Sequence, residues 1–156
     1  MPRDNREPSA ILDHVTSARV ALTATIYGLS EEEMTTQHPV GKWSVKDVMA
    51  HIGRWEEVCL DVLQTHVRGE KTAHDNSDYN DFLAYNDKWE AELQAYSLHE
   101  AVEHFETAHY RLFAFLTTLA PEKWNGFVRA WVQGSTWHHF EEHAEQIRIW
   151  RANQVS

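Results

Sequence analysis

The sequence predicts an all-α protein, a four-helix bundle with additional short helices, folded as one domain over residues 1–156. Apolar residues recur at helical spacing in four long segments. Glycine and proline are scarce, 6 and 4 in number, and punctuate those segments. No stretch sustains the alternation of a strand. A chain of 156 residues is long enough to bury a real core in one domain.

The first helix is expected from Ser9, with Ile11, Leu12, Val15, Ala18, Leu22 and Ile26 as its apolar stripe and Gly28 near its end. Ser30 and Glu33 form a capping box that opens a short helical turn. Residues 36–42, carrying Pro39 and Gly41, read as a loop. Ser44 with Asp47 is a second N-cap signal. Behind it Val45, Val48, Met49, Ile52, Trp55, Cys59, Val62 and Leu63 keep helical spacing for about five turns, to a stop at Gly69.

Residues 70–78 are polar and read as an exposed loop. A helix of lower apolar content is expected from Tyr79 to Gln94. Ser97 and Glu100 make a third capping box before a stripe that runs from Ala101 through Phe105 and Leu112 to Leu119 and closes at Pro121. Asn125 and Gly126 form a turn, and Val128, Ala130 and Val132 alternate briefly inside an expected loop. A last helix is expected from Ser135 to Ala152, with Trp137, Phe140, Ala144, Ile147 and Trp150 on one side. Bundles of this kind build metal and cofactor sites from side chains on facing helices.

Composition narrows the function. Hydrophobic residues are 42% and charged residues 24% of the chain, the balance of a globular protein. The N-terminal stretch lacks an apolar h-region and no run reaches the ~18 apolar residues of a membrane span, so a cytoplasmic protein without a membrane partner is expected. The lone cysteine, Cys59, lies among Val58, Leu60 and Val62 and reads as an inert buried thiol. The net charge of −10 argues against nucleic acid, whose phosphates require a cationic surface.

Eleven histidines and seven tryptophans are many for this length. His139 and His143 stand four apart on the last helix. Four residues advance roughly 40° beyond one turn and about 6 Å along the axis, so both rings leave one face. Such a pair suits two ligands of one metal. Phe140 follows the first histidine where a zincin carries glutamate, so a metalloprotease reading is poor. A catalytic metal usually takes three protein ligands, and His51, on the flank of the second helix's apolar stripe, is the best third candidate.

By spacing alone the bland alternatives stay open. An i,i+4 histidine pair is more often a surface accident than a site, and a flank histidine is usually a hydrogen-bonded core residue. His138 points away from the pair and reads as solvated. His14, His38, His66, His74, His99, His104 and His109 read as surface residues. Trp43, Trp55, Trp137 and Trp150 read as packing, and Glu56 and Gln146 are candidates to orient an imidazole.

The segment GKWSVKDVMAHIGRWEE, from Gly41 to Glu57, resembles the second-helix motif of the DinB-like superfamily, with a histidine eight residues after the tryptophan, here Trp43 and His51. HFEEHAEQIRIW, from His139 to Trp150, is similar to that group's last-helix motif, a histidine pair followed by Gln-Ile. The resemblance covers nearly the whole chain. It implies a four-helix bundle, often a homodimer, with His51, His139 and His143 as ligands of a divalent metal ion such as Zn, Ni or Fe.

The same resemblance implies a metal-dependent enzyme that activates a thiol or water for attack on a small electrophile, in the manner of a thiol S-transferase using a low-molecular-weight thiol. A metal-dependent hydrolase, or a bundle that binds metal or a small ligand without catalysis, is the alternative. Neither a general base nor the identity of the small-molecule substrate is readable from the sequence.

Overall fold

The protein, seen here as a computed structural model, is described over residues 4–154; Met1–Arg3 of the N-terminal stretch lie outside the described residues. Seven α-helices follow in order among them: α1 (Pro8–Ile26), α2 (Glu31–Thr36), α3 (Val45–Val67), α4 (Tyr79–Gln94), α5 (Leu98–Thr118), α6 (Gly126–Ser135) and α7 (Trp137–Asn153), with a short 3-10 turn at Pro121–Lys123 before α6. Among the described residues no strand forms, and no helix is long and apolar enough to cross a membrane. The all-α bundle predicted above is what the chain adopts.

The capping signals account for most helix starts. The hydroxyls of Ser30, Ser44 and Ser97 accept from the backbone N–H three residues on, and Glu33, Asp47 and Glu100 close each box. Asp78 and Asp81 form a fourth box at the head of α4. α1 starts one residue earlier than expected, at Pro8, without a side-chain cap. Proline suits the first helical position because its missing N–H would be unpaired there anyway.

Two expectations fail: the last helix begins at Trp137, because Ser135 closes α6, and the expected loop before it is helical. Val128, Ala130 and Val132 belong to α6, not to a loop. The Asn125 side chain accepts from the Val128 N–H at 3.0 Å and caps this helix, while Val128 and Val132, four apart, are both fully buried. Ala130 faces outward. A period of four lay beneath an apparent period of two.

The core lies between α1, α3, α5, α6 and α7, where Ile11, Val15, Leu22, Val48, Ile52, Leu63, Phe105, Leu112, Leu116, Phe140 and Ile147 are essentially sealed from water. Each contributes roughly 1.5–3 kcal/mol relative to exposure. Neighbouring helices run parallel in two pairs. His14 meets Glu141 at the start of α1 and α7, and Arg151 donates to the Thr25 and Tyr27 carbonyls (3.0 and 2.6 Å) at their ends. Likewise Gly53 lies against His104, and Glu56 against His109, along α3 and α5. Parallel neighbours need long crossovers, and α4 with its preceding loop supplies one between α3 and α5.

Candidate metal centre

α3 and α7 build the candidate centre between them. The Ser44–Asp47 box fixes where α3 begins, and Lys46 ties that end down by donating to the carbonyls of Gln94 and Tyr96, each at 2.7 Å. His51 then falls about two turns into the helix. On α7, Phe140, Ala144 and Ile147 are drawn into the core. That rotation turns His139 and His143 toward α3.

The three imidazoles converge. His51 Nε2 lies 2.9 Å from His139 Nε2, and His143 Nε2 lies 3.0 Å from the same atom. One nitrogen of each ring fits within 4.8 Å of the other two, the spacing of a group that could hold a metal ion. His51 and His143 are buried and His139 is half-buried.

Electrostatics keep the rings neutral. Burial, and then the neighbouring His143, push His51 down to about 3. Burial also lowers His139 well below its ordinary value, with His143, His51 and His138 adding to the effect. His143 is lowered by burial, although its bond to Gln146 and the nearby Glu142 oppose the shift. A neutral imidazole keeps a free lone pair on one of its two ring nitrogens, and that is the form that ligates a metal.

The donor set fits a cation on its own chemistry. His139 Nε2 faces two other ring nitrogens, yet a single proton can bridge only one such contact well. A metal ion satisfies all three lone pairs at once. Nitrogens about 2.0–2.1 Å from a tetrahedral zinc lie about 3.3 Å apart, close to the two separations from His139, 2.9 and 3.0 Å. Three imidazoles are also a ligand set that leaves a fourth position free.

Trp43 forms a wall of the centre, its ring 4.5 Å from that of His51. It is delivered by a tight turn in which Trp43 N donates to Val40 O at 2.8 Å and Val40 N to Trp43 O at 3.4 Å. Gly41 occupies the left-handed position of that turn, with φ +58, where a side chain would be strained. Glu90 of α4 holds the wall in place. It accepts from Trp43 Nε1 at 3.1 Å and pairs with Lys42 at 2.8 Å. Nothing in the polar sequence of α4 singled Glu90 out.

Several other expectations are sharpened or corrected. Gln146 does orient an imidazole, its Oε1 lying 2.7 Å from His143 Nδ1. Glu56 does not. It is fully buried away from the trio and pairs with Arg19 at 3.1 Å and His109 at 2.7 Å. His109 is therefore no surface histidine. His14, half-buried, stacks on Trp137, and His66 stacks on Phe127. His138, His38 and His99 are exposed as expected. Cys59 is fully buried, and its surroundings push the thiol up to about 12, which makes it inert.

An all-helical bundle with a buried three-histidine cluster between two of its helices is the class these observations define. The family follows directly: residues 14–147 match the DinB superfamily, and the chain belongs to it. Among solved structures, the sibling lethal factor precursor DfsB is similar over 97% of this chain and 98% of its own, with 15% identity and a TM-score of 0.79. An uncharacterised protein from Escherichia coli UTI89 covers 99% of this chain and 96% of its own, at 12% identity and TM-score 0.79. The colibactin self-resistance protein ClbS, solved in complex with a dsDNA, covers 92% and 95%, at 11% identity and TM-score 0.75. At these identities the likeness is one of fold. No curated protein matches the chain.

Proposed function

We propose that His51, His139 and His143 hold one divalent metal ion, and that the protein is a metal-dependent enzyme acting on a small electrophile. The observation that carries this reading is the convergence of one imidazole nitrogen each from His51, His139 and His143, on two helices, to within 4.8 Å of one another. When bound, a divalent ion held only by neutral ligands keeps its full charge and makes a thiol or water near it easier to deprotonate. The chain's own residues supply the rest. The three histidines are donors, Gln146 orients one of them, and Trp43 shields His51 from water. A thiol S-transferase using a low-molecular-weight thiol is the form we favour over a hydrolase.

The test is elemental analysis of the protein as purified, repeated on His139→Ala after circular dichroism has verified its fold. About one equivalent of metal in the wild type and a clear loss in the variant are expected. Equal metal content in the two removes the site. Glutathione, bacillithiol and mycothiol are then screened against electrophiles, and failure of all three shifts the reading to hydrolysis. A second reading, a non-catalytic metal-binding bundle, draws on burial: His51 and His143 are each only 5% exposed.

The partner we propose is a small molecule, with no nucleic acid and no membrane. ClbS was solved with dsDNA, but a net charge of −10 disfavours that contact here. A cytoplasmic homodimer completes the reading. Support for the dimer comes from the outer face of α1, where Ser17, Val20, Ala21 and Ala24 are exposed and uncharged. Sedimentation at micromolar concentration distinguishes dimer from monomer.

A further inference from the structure

The three imidazoles are not equivalent, because only one has its proton fixed from outside. Gln146 lies one turn beyond His143 on α7, with Oε1 2.7 Å from His143 Nδ1. An amide oxygen only accepts, so the single proton of neutral His143 sits on Nδ1. Its Nε2 lone pair is left bare, directed at His139. His139 stands in contrast: its Nδ1 is buried and meets no hydrogen-bond partner. With His143 Nε2 bare, the 3.0 Å contact is favourable only if His139 carries its own proton on Nε2 or if a cation lies between the rings. His139 must therefore move a proton from Nε2 to Nδ1 before it can donate a lone pair. His143 need not.

We propose that Gln146 is a positioning residue that locks His143 in the ligating tautomer and thereby sets the affinity of the centre for metal. The inference rests on the metal reading above, but the tautomer it assigns is a property of the metal-free protein. An acceptor on the far nitrogen also raises the donor strength of the ring and fixes its orientation, effects that typically account for 10–100-fold in metal affinity.

The experiment has two arms, on wild type, Gln146→Leu and Gln146→Glu, each verified as folded by circular dichroism. In the first, long-range proton–nitrogen correlation spectra of metal-free protein report which nitrogen of His143 carries the proton. Nδ1–H is expected in wild type and Gln146→Glu, with a shift toward Nε2–H in Gln146→Leu. In the second, zinc affinity is measured by competition with a chromogenic chelator. A loss of about 10–100-fold is expected in Gln146→Leu, with wild-type or tighter binding in Gln146→Glu, which keeps an acceptor at that place.

A proton on Nε2 of His143 in the wild type overturns the proposal, as does unchanged zinc affinity in Gln146→Leu. Wild-type protein with no zinc affinity overturns the metal reading as well. Zinc binding that ignores residue 146 overturns only the positioning role.

Discussion

His51 and His139 stand 88 positions apart in sequence, yet their Nε2 atoms approach to 2.9 Å, and among the described residues no backbone hydrogen bond joins α3 to α7. Packing of α3 against α7 brings them together, so a cation shared between them would tie the two helices. Ligand that binds only the folded state stabilises it by mass action. Zinc at about a hundredfold excess over its dissociation constant should add about 2.7 kcal/mol, or a rise of about 5–10 °C in melting temperature for a chain of this size. His51→Ala should lose that response while still folding. Thermal melts with zinc and with EDTA read it directly, and an equal zinc response in the variant would place the ion elsewhere.

Much of this architecture was legible because it depends on local chemistry. Ser30, Ser44 and Ser97 announced their helices by pairing with a residue three positions on, and all three caps form as the spacing implied. His139 and His143 share a face for the same local reason. The legible part ended where partners come from distant helices. Glu90 became a clamp on Trp43 only because α4 crosses over α3, and Arg19 met Glu56 only because α1 packs there. α6 was missed because its cap, Asn125, also suits a turn.

The neutral histidines carry a pH signature in the metal-free protein. An unfolded chain titrates histidine near 6.5, whereas the folded chain holds His51 at about 3 and lowers His139 and His143 through burial. Below pH 6.5 the unfolded state takes up protons that the folded state refuses, so stability falls with pH. The loss should grow steadily from about pH 6.5 downward, persisting toward pH 3 for His51, at about 1.4 kcal/mol per pH unit for each proton by which the states differ. Urea midpoints with EDTA at pH 7.5 and pH 5 check this. No decline beyond that of a His51→Asn/His139→Asn/His143→Asn variant would show the trio already charged in the fold.

The Arg19–Glu56–His109 network is expected to govern stability rather than chemistry. Glu56 is fully buried, accepts from Arg19 and His109, and sits where the Arg19 guanidinium lies 3.4 Å over the Phe105 ring. Removing one partner strands a buried charge, which costs about 3–5 kcal/mol, whereas replacing the pair together by apolar side chains is often neutral. Glu56→Ala should therefore unfold at much lower urea than the double variant Arg19→Met/Glu56→Leu. Metal content of the double variant should match wild type. Equal unfolding midpoints for Glu56→Ala and wild type would contradict the role.

Gly53 marks a close approach of α3 to α5. A methyl group there would lie 2.5 Å from His104 Cδ2 and 3.2 Å from the His104 carbonyl oxygen. The first contact can be relieved by moving the imidazole, but the second belongs to the backbone and requires the helices to part. Alanine is the better helix former by about 1 kcal/mol, so propensity alone predicts stabilisation, while crowding in a packed interface costs about 1–3 kcal/mol. Crowding should win. Gly53→Ala is expected to destabilise the fold by about 1–2 kcal/mol net, and adding His104→Ala should recover part of that loss as a non-additive term. Full recovery would assign the whole clash to the side chain; a Gly53→Ala protein more stable than wild type would mean that α3 and α5 are free to separate.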